Sequence, residues 1–202
     1  MTSPSNGRPH RVASADDAAQ AVELLVGAFY EDPTWGWAFP DPDKRREQQR
    51  ALWELFVRGA LRYSCVWLAA GAAATSVWIP PDGTELTPEQ EVEMEQLLIR
   101  LLGTDAGRVL RAVEQFDEAH PHDEPHYYLT LLGTDPAQRG RGIGLGLLAA
   151  NLEFVDAEGL PAYLESSNPA NVPLYERFGF KTVGSFELAG GPTVHTLWRD
   201  AR

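Results

Sequence analysis

The chain has 202 residues, of which 44% are hydrophobic and 23% charged, a globular composition long enough to bury the core of one domain, with or without an insertion. Its net charge of −12 opposes a phosphate backbone and excludes nucleic acid as an expected partner; it would draw in a cationic small molecule, and it serves solubility equally well. No apolar run reaches the ~18 residues of a bilayer span, and the polar start Met1 to His10 lacks a signal's apolar core, so no membrane partner is expected and the expected location is cytoplasmic.

Residues 1–8 are expected to be flexible, and residues 9–13 fit a short first strand. Asp16 and Asp17 can cap a helix in which Ala21, Leu24, Leu25 and Phe29 recur at helical spacing. Asp32 to Pro42 reads as a loop rich in proline and aromatics. A second helix is expected from about Lys44 to Arg62, with Leu52, Leu55, Phe56 and Ala60 on one side. The runs Cys65 to Ala69 and Ala74 to Ile79 suit two strands joined at Gly71. Cys65 is the lone cysteine, so an internal disulfide is excluded, and its apolar surroundings suit an inert core thiol. Residues 87–119 read as two helices broken at Gly103, and Glu118 to Pro125 as a polar, turn-prone link. Tyr127 to Leu132 then suits a strand, Ile143 to about Glu158 an apolar helix, and Tyr163 to Glu165 a further short strand. A short helix ends at Phe178 before Gly179. Thr182 to Glu187 and Val194 to Trp198 suit a closing hairpin. The C-terminal half is therefore an α/β layered fold.

The segment Asp135-Pro136-Ala137-Gln138-Arg139-Gly140-Arg141-Gly142-Ile143-Gly144-Leu145-Gly146 lies between a strand and a helix. Glycine lets the backbone approach a ligand, and the unpaired N–H groups and positive dipole of the following helix suit a diphosphate. A P-loop needs Gly-Lys-Ser/Thr, which is missing. A dinucleotide fingerprint fails from Gly140, which would need glycine at Leu145, and from Gly142, which would need it at Leu147. A glycine turn that merely lets the helix pack on the sheet is the plain structural alternative.

What does fit is Arg139-x-x-Gly142-x-Gly144, which resembles the acyl-CoA signature of the GCN5-related N-acetyltransferases (GNAT). About thirty residues later, Asn168-Pro169-Ala170-Asn171-Val172-Pro173-Leu174-Tyr175-Glu176-Arg177-Phe178-Gly179-Phe180 is similar to that family's second signature. The two occur in order at the expected separation, and the resemblance covers the chain from about His126 to its end. Asn171 departs from the alanine often found four residues before the tyrosine, and Pro173 is unusual in a helix outside its first turn. His126 to Leu129, Leu164 to Ser167 and the helical insertion also resemble actinobacterial enzymes related to puromycin N-acetyltransferase.

The resemblance implies a GNAT-like mixed central sheet flanked by helices, a single domain over residues 9–202, and a helical insertion at about 85–120 before the central strand. It implies acetyl-CoA as the bound coenzyme, held by Leu132, Gly133, Thr134, the loop Arg139, Gly140, Arg141, Gly142, Ile143 and Gly144, and by Asn168 and Asn171. A backbone amide near Leu131 or Leu132 would polarise the thioester carbonyl. Tyr175 is the implied acid for the departing thiol; packing at a helix end would explain it too. His126 and Glu165 are candidates for receiving the amine's proton, His195 a weaker one. A strand-end histidine and a loop-holding glutamate are their structural counterparts. Asn168 suits helix capping as well as cofactor contact. Tyr30, Asp32 and Trp35, with Phe29 and Trp37, would line the acceptor, or form a local cluster.

The expected activity is acetyl transfer to a primary amine of a small molecule, such as an antibiotic or a biosynthetic intermediate, by a monomer or homodimer without a metal. A non-catalytic acyl-CoA sensor, a protein N-acetyltransferase and a nucleotide-dependent oxidoreductase are the competing possibilities.

Overall fold

The computed structural model describes residues 10–202, so the flexible start expected for residues 1–8 lies outside the described residues. Seven strands form one sheet: β1 (His10–Val12), β2 (Val66–Ala69), β3 (Ala74–Ile79), β4 (Tyr127–Thr134), β5 (Ala162–Ser166), β6 (Lys181–Glu187) and β7 (Thr193–Arg199). Their order is β1-β2-β3-β4-β5-β7-β6. Only β4 and β5 run parallel; every other neighbouring pair is antiparallel. The helices are α1 (Ala18–Phe29), α2 (Pro33–Ala38), α3 (Pro42–Leu61), α4 (Pro88–Leu102), α5 (Ala106–Ala119), α6 (Ile143–Ala157) and α7 (Val172–Glu176). The mixed sheet flanked by helices is thus the fold class the sequence predicts, with α4 and α5 between β3 and the central β4. The closing hairpin adds a detail: its second strand, β7, lies against β5 and leaves β6 at the edge.

Strand alternation assigns each face a core. Val77, Ile79, Tyr128, Leu131 and Tyr163 pack with Leu25, Val26, Leu52, Trp53 and Leu98 on the face covered by α1, α3 and α4. Trp78, Tyr127, Leu129 and Leu164 pack with Leu148, Leu152 and Val155 of α6 on the other. Leu129 and Leu131 should share a face, yet they are on opposite ones. The cause is a register shift: Val77 pairs with Leu131 while Trp78 pairs with Leu129, so β4 bulges between them.

Three local expectations are corrected. The stretch from Asp32 is not wholly a loop. The Asp32 carboxylate accepts hydrogen bonds from Thr34 N at 2.9 Å and Trp35 N at 3.3 Å, and Pro33 supplies a preset φ, so a short helix, α2, forms there. The next helix begins at Pro42 for the same reason, with Asp41 accepting from Asp43 N. Asp17 does not cap α1 with its side chain. Its carboxylate instead binds Ser14 N and Oγ and the Arg11 guanidinium. Cys65 precedes β2 rather than lying in it; it is buried, and burial pushes its thiol up to about 11, consistent with an inert core group.

Helix α6 is tied to β3 by one buried amide. Asn151 Oδ1 accepts from Ser76 Oγ at 2.7 Å and from Trp78 Nε1 at 3.1 Å. Asn151→Ala should leave two buried donors without an acceptor and lower stability by about 2–4 kcal/mol. Urea denaturation with an unchanged m-value checks this; a loss below about half a kcal/mol would show that water replaces the amide.

Candidate active site

The sheet opens where β4 and β5 part. They pair only at Tyr127 with Ala162 and Tyr128 with Tyr163. Beyond that, β5 is drawn aside by its own C-terminal end. Ser167 Oγ donates to Asp32 Oδ2 at 2.8 Å, and Thr34 Oγ1 donates to the Ser167 carbonyl at 2.9 Å. Asp135 N donates to Ala73 O at 2.9 Å. Alternation back along β4 therefore aims the Gly133 N–H at β3, and the Leu132 and Thr134 N–H groups at the opening. Of the amides near Leu131 and Leu132, it is Leu132's that faces the gap.

The glycine turn flanks this gap. Gly142 adopts φ 75°, ψ 6° as the N-cap of α6, a left-handed conformation that glycine takes freely. Gly144 serves close packing: a Cβ there would meet Thr134 Oγ1 at 2.2 Å, so α6 can start this near β4 only without one. Gly133 likewise admits Ala28 of α1. Among the described residues, the N–H groups from Gly140 to Leu145 donate to no protein acceptor, and open space surrounds Gly140 and Gly142. This cradle fits a diphosphate. Arg139 donates to the Ala28 carbonyl at 2.6 Å and Arg141 to Gln138 Oε1, so both guanidinium groups are already engaged at the rim.

On the opposite side of the gap lies a cavity of about 790 Å³. Leu132, Asn171 and Tyr175 line it, as do Glu85, Thr130 and Glu165. Burial, with the Asp32 carboxylate as a lesser cause, pushes the Tyr175 phenol up to about 12, so it is held protonated at neutral pH. Phe29 and Trp35 reach the cavity wall, where Trp35 meets Trp53 edge-on at 4.5 Å. Tyr30 does not line the cavity: its hydroxyl donates to Pro42 O, and Arg45 and Arg46 lie over its ring. Asp32 does not line it either, and both its oxygens hold α2 and Ser167 in place. Trp37 lies under Arg108, 4.2 Å from its guanidinium carbon, also away from the cavity. Asn168 caps the turn before α7, accepting from Ala170 N at 3.0 Å. His195, opposite Ser166 on β7, does not line the cavity.

His126 and Glu165 are joined by a residue the sequence reading left in the polar link, His120. His126 Nδ1 lies 2.7 Å from Glu124 O, which assigns the proton to Nδ1 and leaves Nε2 as an acceptor. His120 Nε2 lies 3.1 Å from that Nε2 and must therefore donate. His120 Nδ1 is then left facing Glu165 Oε1 at 3.9 Å. Burial lowers the His126 pKa, keeping that ring neutral. The Glu165 side chain is only 3% exposed, and its Oε1 has no hydrogen-bond partner. The pair His120-Pro121-His122 beside His126 was the available signal, but only the fold shows which ring meets the carboxylate.

Glu85, in the turn between β3 and α4, also went unnoticed in the sequence. Burial, then the neighbouring Glu165 and Asp117 charges, push its carboxyl from 4.5 up to about 8. Folding therefore takes up a proton between those values. The stability linked to this group is full below the lower value and is lost as pH rises through the upper one. Glu85→Gln should accordingly match the parent's melting temperature near about pH 5 and exceed it above about pH 8. Thermal melts across that range check the sign; a constant difference, or one that shrinks as pH rises, contradicts it.

Residues 26–180 match the Acetyltransferase (GNAT) family. An N-acetyltransferase of Schizosaccharomyces pombe is 26% identical over 177 residues, covering 82% of this chain and 71% of its own. A mycothiol acetyltransferase of Acidothermus cellulolyticus is 29% identical over 190 residues, 91% of this chain but 47% of that protein, so the chain spans about half its length. Among solved structures, histone acetyltransferase HPA2 and related acetyltransferase from Corynebacterium glutamicum superposes with a TM-score of 0.69 at 26% identity, covering 96% of both chains. A Drosophila melanogaster polyamine N-acetyltransferase shares the fold, with a TM-score of 0.65 at 18% identity over 95% of this chain and 98% of that one. With the family match spanning most of the sequence and the open β4–β5 gap beside a glycine turn, the chain belongs to the GNAT family of acetyltransferases.

Proposed function

We propose that the chain transfers an acetyl group from acetyl-CoA to a primary amine of a small molecule, by direct attack while both substrates are bound. The observation that carries this reading is the run of unengaged N–H groups from Gly140 to Leu145, set beside the unpaired edge of β4. The loop amides, with Thr134 and Asn171 nearby, hold the diphosphate and arm of acetyl-CoA. The Leu132 N–H receives the thioester oxygen, a contact typically worth about 3 kcal/mol as charge develops there.

The amine enters from the cavity on the other face. Its nitrogen lone pair forms the C–N bond as the C–S bond breaks. The proton of the incoming ammonium passes to Glu165, whose Oε1 has no competing donor, with His120 and His126 behind it as further acceptors. Tyr175 gives its phenolic proton to the leaving sulfur, and the second proton shed by the new amide nitrogen restores the phenol, while Glu165 releases the first to solvent. Trp35 and Phe29 form the apolar wall of the acceptor site. The α4–α5 pair and the His126 to Leu129 segment support a narrower likeness to puromycin N-acetyltransferase-like enzymes.

Tyr175→Phe should lower kcat by about ten- to a thousand-fold with little change in the KM for acetyl-CoA. Full turnover in that variant removes Tyr175 from the chemistry. Gly142→Trp fills the cradle above the turn and should weaken acetyl-CoA binding by about a hundredfold or more while the helical content stays the same. Calorimetry reads the affinity, and an unchanged value refutes the placement of the diphosphate.

A further inference from the structure

The cavity has an unusual charge inventory. Eight aspartate and glutamate side chains line it, and among the described residues no lysine or arginine does. Six of the eight are solvent-exposed at its rim, among them Asp117, Asp123 and Glu124. The other two, Glu85 and Glu165, lie deeper. Glu165 is the telling one: it lines the cavity with a side chain only 3% exposed, and its Oε1 has no hydrogen-bond donor. Its closest basic neighbour, His120 Nδ1, is 3.9 Å away, beyond hydrogen-bond distance. A buried carboxylate oxygen left without a donor is unfavourable. A ligand that brings the missing positive charge relieves that cost.

One ammonium does not satisfy the arrangement. The Glu165 charge raises the proton affinity of Glu85, so a single cation placed at Glu165 leaves Glu85 without a counter-charge. A neutral or singly charged amine also gains nothing from the acidic rim once its nitrogen is at the thioester. An acceptor with a second cationic nitrogen gains at both ends. The apolar wall of Phe29, Trp35 and Trp53 suits the methylene chain between them.

We propose that Glu165 and Glu85 form a cation subsite that selects acceptors carrying a second positive charge, so that the substrate class is aliphatic di- and polyamines. This rests on the acetyl-transfer reading for its biological meaning, but the subsite is a binding property and is measured separately. Glu85 acts as a specificity-determining residue. Glu165 both receives the reacting ammonium's proton and shares the charge of the distal nitrogen.

The probes are putrescine, an aliphatic diamine, and n-butylamine, its singly charged counterpart, each titrated by calorimetry into the 202-residue chain saturated with CoA. Putrescine should bind at least about tenfold more tightly, and the ratio should fall below about threefold in Glu85→Gln and in Glu165→Gln. Because the readout is a ratio within one protein, a general loss of fold does not imitate it. Equal affinities in the parent, or a preference that survives both substitutions, overturns the subsite. Thiol release from acetyl-CoA then separates the two claims. A putrescine preference in binding with no thiol release on any amine sinks the transfer reading and leaves the subsite intact. Equal catalytic efficiency on both amines sinks the subsite and leaves transfer intact.

Discussion

The separation of β4 from β5 is the constraint on which the rest of the site depends. Two parallel strands that pair at Tyr127–Ala162 and Tyr128–Tyr163 would ordinarily continue side by side. Here both are diverted. The bulge between Leu129 and Leu131 changes the phase of β4, and the end of β5 is fastened to α2 through the Ser167 contacts with Asp32 and Thr34. The gap leaves backbone donors of β4 unpaired without leaving them in bulk water. On the proposed reading, the gap is where a donor lying over α6 meets an acceptor entering past α3 and α5. Asp32 acts here through geometry: Oδ2 holds Ser167 and Oδ1 caps α2, and burial raises its pKa even though these hydrogen bonds pull it down.

The division between what was legible in the sequence and what was not follows the range of the interactions. The glycine turn, α6 and the Tyr175 segment are local patterns, with caps, spacing and positive-φ positions within a few residues of each other, and all three are where the sequence puts them. The layered α/β character followed from the order of strands and helices, and the sheet's mixed character from the family resemblance of the two signatures. The acidic lining did not. Glu85 precedes α4 in a turn rich in proline and glycine, and Glu165 is on a strand eighty residues away; nothing in either neighbourhood indicates that they share a cavity. The aromatic stretch from Phe29 to Trp37 was legible as a cluster, but its division was not. Trp35 faces the cavity and Trp37 meets Arg108 because Asp32 starts a helical turn that points these two rings in different directions, while Tyr30, at the end of α1, turns toward α3.

The elevated phenol of Tyr175 bears on whether it can act as the acid at all. A group near 12 is a weak proton donor by the standards of water, where a free cysteine-like thiol titrates at about 8.5. Taken alone, that gap would make donation to a thiolate uphill by several kcal/mol. The comparison has to be made within the same environment, however. The burial and the Asp32 charge that disfavour a phenolate at Tyr175 also disfavour a thiolate leaving into the neighbouring gap, and the sulfur's proton affinity rises with the phenol's. Leu132's amide cannot offset this for sulfur, because it points at the oxygen. On the proposed mechanism the two affinities would then stay close enough for the proton to move as the C–S bond lengthens, with the same low-dielectric surroundings keeping Tyr175 protonated until that moment.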